Sequence, residues 1–372
     1  MTSVEVVRAK HRERNVRWGF GWALWCAVLW GAWYIPGSAF YYEEPFVALS
    51  ETTGGFLKAA AVITALNAVA VLLAMFLWTS VLGKTRDYGR TIRRRNTSKW
   101  FFLAAIFGGP MAIYGSFLAI GYVGAQFGAV AALLYPVVGA FLARLWLKET
   151  ITARAALGIV IIVVGGVFIF TPGLLDEIGN PTGTGAWLGY LGGVMAMFGW
   201  GIEGVIAGKA LDVTDPDVGL TIRFTAESLY WVLLILPVSV IFLGWELFTI
   251  AGDAIANPIN LVWLALAGLT FGFCYVSWYK SFPLIGVGRG QAIAALYGPF
   301  ALLFLWAFTF AAPSWQFVVG GIICVIGSFV LFTEPRGVLE VIRSLPGGKV
   351  TAATAGNSGD TIVDPPLVGR ER

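Results

Sequence analysis

Residues 56–82 read FLKAAAVITALNAVAVLLAMFLWTSVL, an apolar run in which Lys58 is the one charged side chain. A helix needs about 20 mainly apolar residues to cross the hydrocarbon core of a bilayer, so this run is long enough. Similar runs divide the rest of the chain, with little between them. We predict an all-α integral membrane protein with ten transmembrane helices, at 18–40, 56–82, 100–122, 125–147, 153–170, 185–208, 219–243, 258–280, 286–311 and 314–333.

The composition favours the same class. Hydrophobic residues make up 58% of the chain and charged residues 12%, and the mean hydropathy is +0.78. Only the ends read as non-membrane: a basic N-terminal arm, 1–17, and a tail, 334–372, that we expect to be largely disordered. The first apolar run is too long for the core of a removable signal peptide. No loop between spans could hold a folded soluble domain.

The basic residues predict the orientation. If the N-terminus is cytoplasmic, 24 of the 25 Lys and Arg residues fall on the inner side, and only Lys58 falls outside. The outer loops carry acidic residues such as Glu43, Glu246 and Asp253. Cytoplasmic loops of membrane proteins carry an excess of Lys and Arg, so we predict a multi-pass cell-membrane protein with both termini inside. Arginine runs such as Arg93-Arg94-Arg95 are then topology signals near anionic lipid, and we expect no nucleic-acid partner.

An internal repeat divides the spans into two sets of five. The stretch Gly121–Pro136 aligns without gaps on Leu284–Pro299, with identities that end in the shared Pro136 and Pro299. A Trp-Gly pair also recurs, at Trp30-Gly31 and Trp200-Gly201. Because five is odd, the two sets enter the membrane from opposite sides. Such a 5+5 inverted repeat is common among secondary transporters, whose substrate site lies near the midplane between the halves.

Further motifs carry a family resemblance. In the first half they are Trp30-Gly31, Tyr135-Pro136, Leu147-Lys148-Glu149-Thr150-Ile151-Thr152, Leu157-Gly158 and Gly165-Gly166-Val167. In the second half they are Trp200-Gly201, Trp278-Tyr279, Gly288-Arg289-Gly290, Pro299 and Gly320-Gly321. This pattern resembles the EamA-type repeat of the drug/metabolite transporter (DMT) superfamily, although Ala311-Ala312-Pro313-Ser314 replaces the Gly-Glu that the family often has there. The resemblance implies a first repeat at 18–171, an external linker at 172–184 and a second repeat at 185–333, with both termini cytoplasmic.

Several functional classes lack support in the sequence. No ATP-binding sequence G-x-x-x-x-G-K-[ST] is present, so transport would be a facilitated, exchange-driven or ion-coupled process. The three cysteines lie within spans and the one histidine, His11, lies in the basic arm, so we expect neither a metal site nor a cofactor. We also expect no enzyme activity. A membrane scaffold without a central cavity remains a further alternative.

Two glutamates lie within predicted spans, where ionisable groups are costly and often functional. Glu203 lies three residues after Trp200, on the same helix face. Desolvation favours the protonated form of a carboxylate, so Glu203 or Glu227 could exchange a proton for a cationic substrate. The structural alternatives are an Arg223–Glu227 ion pair within one helix and a Glu203 that reaches the headgroups or Lys209.

Aromatic residues and prolines complete the candidate site. Aromatic rings beside a carboxylate suit an organic cation. The aromatic candidates for substrate binding are Trp30, Trp33, Tyr34, Tyr114, Tyr135, Trp200, Tyr275, Trp278 and Tyr297. The candidates for kinks or gating are Pro36, Pro136 and Pro299.

The sequence thus predicts a secondary transporter of a small organic solute, cationic or zwitterionic, that works by alternating access between the repeats. The alternative within transport is an exporter or permease of neutral amino acids or metabolites, in which the glutamates are structural. The expected partners are the solute and the lipid bilayer. Association into a homodimer stays open.

Overall fold

The computed structural model describes residues 3–49, 52–123, 132–179, 186–309 and 315–333, and these ranges are helical with no β-strand. All of them belong to one unit, Met1–Val341. The predicted disorder of the tail, 334–372, falls outside the described residues, as does part of the external linker. The helices are α1 Ser3–Ala39, α2 Phe46–Leu49, α3 Thr53–Val81, α4 Thr85–Ile92, α5 Arg95–Tyr122, α6 Tyr135–Leu147, α7 Ala153–Gly179, α8 Ala186–Leu211, α9 Pro216–Leu243, α10 Glu246–Ala256, α11 Pro258–Ile285, α12 Val287–Ala294, α13 Tyr297–Thr309 and α14 Trp315–Phe332.

Six of these helices are long and apolar enough to cross a membrane, namely α1, α3, α5, α8, α9 and α11. Shorter apolar helices occur at Tyr135–Leu147, Ala153–Phe168 and Val318–Leu331. Large apolar side chains such as Leu77, Phe242 and Phe329 are exposed on the outer surface of the bundle. Exposed apolar surface on this scale marks an interaction site, and together with the helix lengths it is consistent with a membrane protein.

Three boundaries differ from the sequence prediction. Helix α7 continues to Gly179, so residues 172–179 of the predicted external linker, 172–184, are helical. The N-terminal arm is not separate from the first span, because α1 is continuous from Ser3. The ninth predicted span, 286–311, is divided, since α12 ends at Ala294 and α13 begins at Tyr297.

Helices from the first half pack mainly against helices from the second. The contacting pairs include α1 with α11 and α13, α3 with α9 and α11, α5 with α8 and α9, α6 with α8 and α12, and α7 with α14. Small residues permit the close contacts: a Cβ placed on Gly115 of α5 would meet the backbone of Gly192 on α8, and one on Gly165 of α7 would meet Gly320 and Cys324 of α14. The core therefore lies along the boundary between the two halves of the sequence.

Several of the long helices are interrupted within their length. Residues Phe107–Ile113 of α5 and Tyr230–Ile235 of α9 form π-helical turns, and the first of these contains Pro110. Pro36 lies inside α1 as expected. Pro136 and Pro299 instead lie in the first turns of α6 and α13, where a missing N–H removes no helical hydrogen bond. They mark helix starts rather than kinks within helices.

Polar contacts gather at the two ends of the bundle. At the C-terminal end of α3, Lys84 forms ion pairs with Asp215 and Asp217, and Lys280 also pairs with Asp217. We call these four residues the Lys84 cluster. At the opposite end of α3, Lys58 pairs with Glu246. The apolar length of α3 lies between these two groups.

Candidate functional site

Arg223 lies at the centre of a fully buried charged group. Its Nε donates to Oε1 of Glu203 on α8 at 2.6 Å, and its Nη1 donates to Oε2 of Glu227, one turn further along α9. All three side chains are 0% exposed. The Arg223–Glu227 pair is the one that the i, i+4 spacing predicts, whereas the link to Glu203 joins two helices. We call these three residues the triad.

Tyrosines of α11 hold the carboxylate of Glu203 from the other side. Tyr275 donates its hydroxyl to Oε2 at 2.9 Å, and Tyr279 donates to Oε1 at 3.2 Å. The Tyr275 hydroxyl in turn accepts from Nε1 of Trp200 at 2.8 Å. The Arg223 guanidinium also lies 4.8 Å from the centre of the Tyr275 ring. Both oxygens of Glu203 therefore have donors, as a buried carboxylate requires.

The π-helical turn of α5 makes room for the triad. A Cβ on Gly108 would clash with the Arg223 guanidinium and the Glu203 carboxylate, and a Cβ on Gly109 would clash with the Glu227 carboxyl. Because glycine has no side chain, the charged groups can lie directly against this backbone. Only Oε1 of Glu227, among the carboxylate oxygens of the triad, has no hydrogen-bond partner.

Next to the triad, the predicted aromatic residues form a buried cluster around Trp30. Its ring stacks on Tyr297 with centroids 4.7 Å apart, and meets Trp200 edge-on at 4.8 Å. Tyr135 lies 5.4 Å from Trp30, and Trp278 lies 6.4 Å away. Tyr275 joins this cluster to the triad, since its ring packs edge-on against Trp278 at 5.3 Å. The rings come from α1, α6, α8, α11 and α13, and hence from both halves of the sequence.

The remaining aromatic candidates lie around this cluster or apart from it. Tyr34 stacks on Tyr297 with centroids 5.6 Å apart. Trp33 stacks on Phe271 of α11 at 4.7 Å. Tyr114 packs against Trp231 of α9 instead, and no ring contact with the Trp30 cluster is among the described ones. The structure therefore gathers most of the predicted aromatic set and leaves Tyr114 at another place.

Two of the polar residues differ from the sequence interpretation. The charge pattern placed Arg223 in the cytoplasmic set, yet it is buried within the bundle. Lys209, which was the proposed alternative partner of Glu203, lies over the Trp100 and Trp146 rings at 4.3 Å and 4.8 Å. The cation that pairs with Glu203 is therefore Arg223 on the next helix, α9, and not a residue of its own helix.

Gln291 is a buried polar residue that the sequence reasoning passed over. Its Nε2 donates to the Trp200 carbonyl at 3.2 Å, and its backbone carbonyl accepts from the Tyr135 hydroxyl at 2.8 Å. A Cβ on Gly139 or Gly204 would collide with its amide group. The available signal was an amide in the middle of an apolar stretch that also belongs to the internal repeat.

The short helix α12 is capped from the other half of the chain. Glu149, in the segment between α6 and α7, accepts from the backbone N–H groups of Val287 at 2.9 Å and Gly288 at 3.2 Å. These N–H groups have no partner within the helix, and a carboxylate there also complements the positive end of the helix dipole. The motif residue Glu149 thus fixes the helix that carries Gln291.

The chemistry available at this place is binding of charge and of rings. Two carboxylates and one guanidinium lie against a wall of indoles and phenols, and the indole Nε1 atoms of Trp30 and Trp33 are buried without a partner. Unpartnered buried donors of this kind call for a water or a ligand. Within the described ranges, no group of three or more His, Cys, Asp or Glu could hold a metal ion.

Comparison with known proteins adds information on the fold alone. No family model and no curated protein matches the chain. Twenty-six chains of solved structures do match. One of them, a crystal structure described simply as that of a protein, aligns over 84% of this chain and 95% of its own length, with a TM-score of 0.58 and 16% identity. At this identity the match supports a shared helical architecture and says nothing of function.

Proposed function

We propose that the chain is a secondary transporter that moves a small organic solute, cationic or zwitterionic, across the cell membrane. The observation that carries the proposal is the position of the Trp30 cluster. Its rings come from both halves of the sequence and adjoin a buried acid–base group. Rings attract a cation through their negative faces, and Glu203 and Arg223 offer one charge of each sign.

The packing of the helices supports an alternating-access architecture. In the proposed ten-span 5+5 repeat, spans one to five correspond to spans six to ten. The contacts between the halves pair span one with eight and nine, two with seven and eight, three with six and seven, four with six and nine, and five with ten. Exchange of the two halves converts this set of pairs into itself, as a twofold axis between inverted repeats requires. The same repeat underlies the resemblance to EamA-type members of the DMT superfamily.

The orientation follows from the charges at the two ends of the bundle. Lys84 and Lys280 lie at the end where the sequence places most of its basic residues, and Lys58 lies at the other. An excess of Lys and Arg marks the cytoplasmic side, so both termini are cytoplasmic in this proposal.

Uptake into proteoliposomes tests the function. The probes are radiolabelled choline as the cation, glycine betaine as the zwitterion, leucine, and benzoate as an anion. We expect saturable uptake of choline or betaine that requires the protein, with no uptake of benzoate. Glu203→Gln should reduce this uptake at least tenfold, because the amide cannot neutralise a cation and accepts fewer hydrogen bonds. Glu246→Gln, which removes an exposed carboxylate, is the matched control.

A second candidate function has one observation in its favour. Both glutamates are paired with Arg223, as structural glutamates would be. A transporter of neutral amino acids or metabolites would then use the rings and the amide of Gln291 without these charges. It predicts leucine uptake that Glu203→Gln leaves unchanged in a correctly folded protein. No uptake of any probe, with wild-type folding intact, would contradict both candidates for these solutes.

A further inference from the structure

The charges of the triad do not balance. Glu203 and Glu227 contribute two carboxylates and Arg223 one guanidinium, so the group has a net charge of minus one when all three are ionised. Each of the three side chains is fully buried. A buried charge without compensation is strongly disfavoured, and the usual resolution is that the group takes up a proton. We propose that the triad binds one exchangeable proton and that Glu227 carries it.

The hydrogen bonds distinguish the two glutamates. Glu203 receives donors on both oxygens, from Arg223 and Tyr279 on one and from Tyr275 on the other, which favours its ionised form. Glu227 receives a donor on Oε2 alone, while its Oε1 faces Gly109 without a partner. A protonated carboxyl needs fewer donors and can itself donate. The proton therefore belongs on Glu227.

The backbone beside Gly109 suits a carboxylic acid. Pro110, next to Gly109, has no N–H that could donate to a carboxylate. A carboxylate oxygen at the same place would face backbone that supplies no positive charge.

Among the described residues, the neighbouring helices bring no second cation into contact with the two glutamates. α9 packs against α3, α4, α5, α8, α10 and α11, and the charged residues of α10, Glu246 and Asp253, are exposed. The titratable groups that these helices and α9 itself bring near the triad are Tyr88, Tyr114, Glu203, Arg223, Tyr230, Cys274, Tyr275 and Tyr279, with the Lys84 cluster beyond them at one end and Lys58 at the other. Among the described residues, Arg223 is the one cation with a contact to Glu203 or Glu227.

A metal cation fits this position less well than a proton. Hard cations such as Ca²⁺ and Mg²⁺ take six or more oxygen ligands, and among the described residues no group of three or more His, Cys, Asp or Glu side chains could hold a metal ion. A proton needs only the unpartnered oxygen. If the proposed transport function is correct, this proton is the coupling ion of the transport cycle. This coupling role rests on the proposed function, whereas the proton site itself does not.

Infrared spectroscopy of the purified wild-type protein provides the direct test. We expect a carbonyl-stretch band of a protonated carboxylic acid at neutral pH, which shifts on exchange into D₂O. Glu227→Gln should remove the band, and so should Glu203→Gln, because either variant leaves one carboxylate for one guanidinium. Glu246→Gln, the control, should retain it. A wild-type protein without the band at neutral pH, or a band that survives Glu227→Gln, would overturn the proposal.

Two glycine variants locate the proton. Gly109→Ala presses a methyl group against the Glu227 carboxyl and should shift the band, whereas Gly108→Ala presses on Arg223 and Glu203 and should leave its position nearly unchanged. The reverse result would place the proton on Glu203. If both glycine variants misfold, thermal unfolding against pH decides. The stability of the wild type should fall as pH rises from mildly acid values towards the pH at which the proton leaves, and Glu227→Gln should fold and lack this part of the pH dependence.

These measurements need no transported substrate. If the protein shows the infrared band of the protonated acid but takes up none of the probes, the result would contradict the transport proposal and leave the proton site intact. Uptake of a probe by a protein that lacks the acid band would contradict the proton site and leave the transport proposal intact. A sodium titration at fixed pH tests the alternative that a metal cation supplies the missing positive charge. Loss of the acid band on addition of sodium would mean that a metal cation competes with the proton for the site.

Discussion

The triad and the Lys84 cluster use the same chemistry in different surroundings. The Lys84 cluster sets two lysines against two aspartates at the end of the bundle, and its formal charges balance. Lys84 is 27% exposed and Asp215 is 43% exposed. The triad sets two carboxylates against one arginine, and none of the three is exposed.

The difference shows what an ion pair means at each depth. At the end of the bundle, water and counterions screen the exposed charges, and loss of an exposed partner costs little. Inside the bundle nothing screens an imbalance, so the stoichiometry of the group matters as much as its distances. We interpret the balanced Lys84 cluster at the end of the bundle as a structural contact that holds α3, α9 and α11 together. We interpret the triad, whose charges do not balance in the interior, as a site for one further positive charge.

The largest expected effect comes from Arg223→Gln. This change leaves two buried carboxylates without their cation, and we expect it to lower the free energy of unfolding by about 3–5 kcal/mol. Thermal unfolding in detergent, followed by size-exclusion chromatography, measures it. Arg223→Lys keeps the charge and should recover part of the loss. The double variant Arg223→Gln with Glu203→Gln should also be more stable than Arg223→Gln alone. Equal stability of Arg223→Gln and wild type would remove the basis of the comparison.

An intermediate effect is expected at Asp217, which is 2% exposed. Its carboxylate accepts from Lys84, Lys280 and Nε1 of Trp78. Asp217→Asn keeps the shape and removes the charge that holds the two lysines, so we expect a loss of about 1–3 kcal/mol in the same unfolding assay. Asp253→Asn on α10 is the control. A larger loss here than in Arg223→Gln would reverse the order that the difference in burial predicts.

The smallest effect belongs to Lys84. Partial burial disfavours its ammonium, but the hydrogen bonds and charges of Asp215 and Asp217 outweigh this, and the pKa of Lys84 is raised above its usual 10.5. A raised lysine pKa stabilises the fold fully below the unfolded value, and the contribution is lost as pH rises through the folded value. Lys84→Met should therefore cost about 1 kcal/mol at neutral pH.

The pH profile of Lys84→Met checks the sign. The difference in melting temperature from wild type should stay constant from neutral pH to about pH 10, and should shrink above about pH 10.5 as the wild-type ammonium deprotonates. A difference that stays constant above about pH 10.5 would mean that Lys84 does not act through its charge.

Local pattern predicted much of the fold. Runs such as 56–82 carry enough apolar length to define a helix without any knowledge of their neighbours, and α3 occupies Thr53–Val81. The i, i+4 spacing of Arg223 and Glu227 predicted their ion pair, and it is present. The break between α12 and α13 was beyond this reasoning, because the apolar run 286–311 continues across it.

The candidate site was predicted in part, for the same reason. Trp30, Tyr135, Trp200, Trp278 and Tyr297 were selected by type and depth, and the structure brings their rings together. Gln291 and the cap by Glu149 could not be found from their own helices, because each depends on a partner more than 80 residues away along the chain.

The sequence by itself determined the long apolar helices and the presence of two glutamates within them. These properties depend on composition and on spacing within one helix. Only the tertiary structure decided that Arg223 lies between Glu203 and Glu227, with Gly108 and Gly109 leaving room for them. The partner of a buried charge is chosen by the packing of neighbouring helices, since desolvation forces the charge toward whatever counter-charge that packing brings within hydrogen-bond distance.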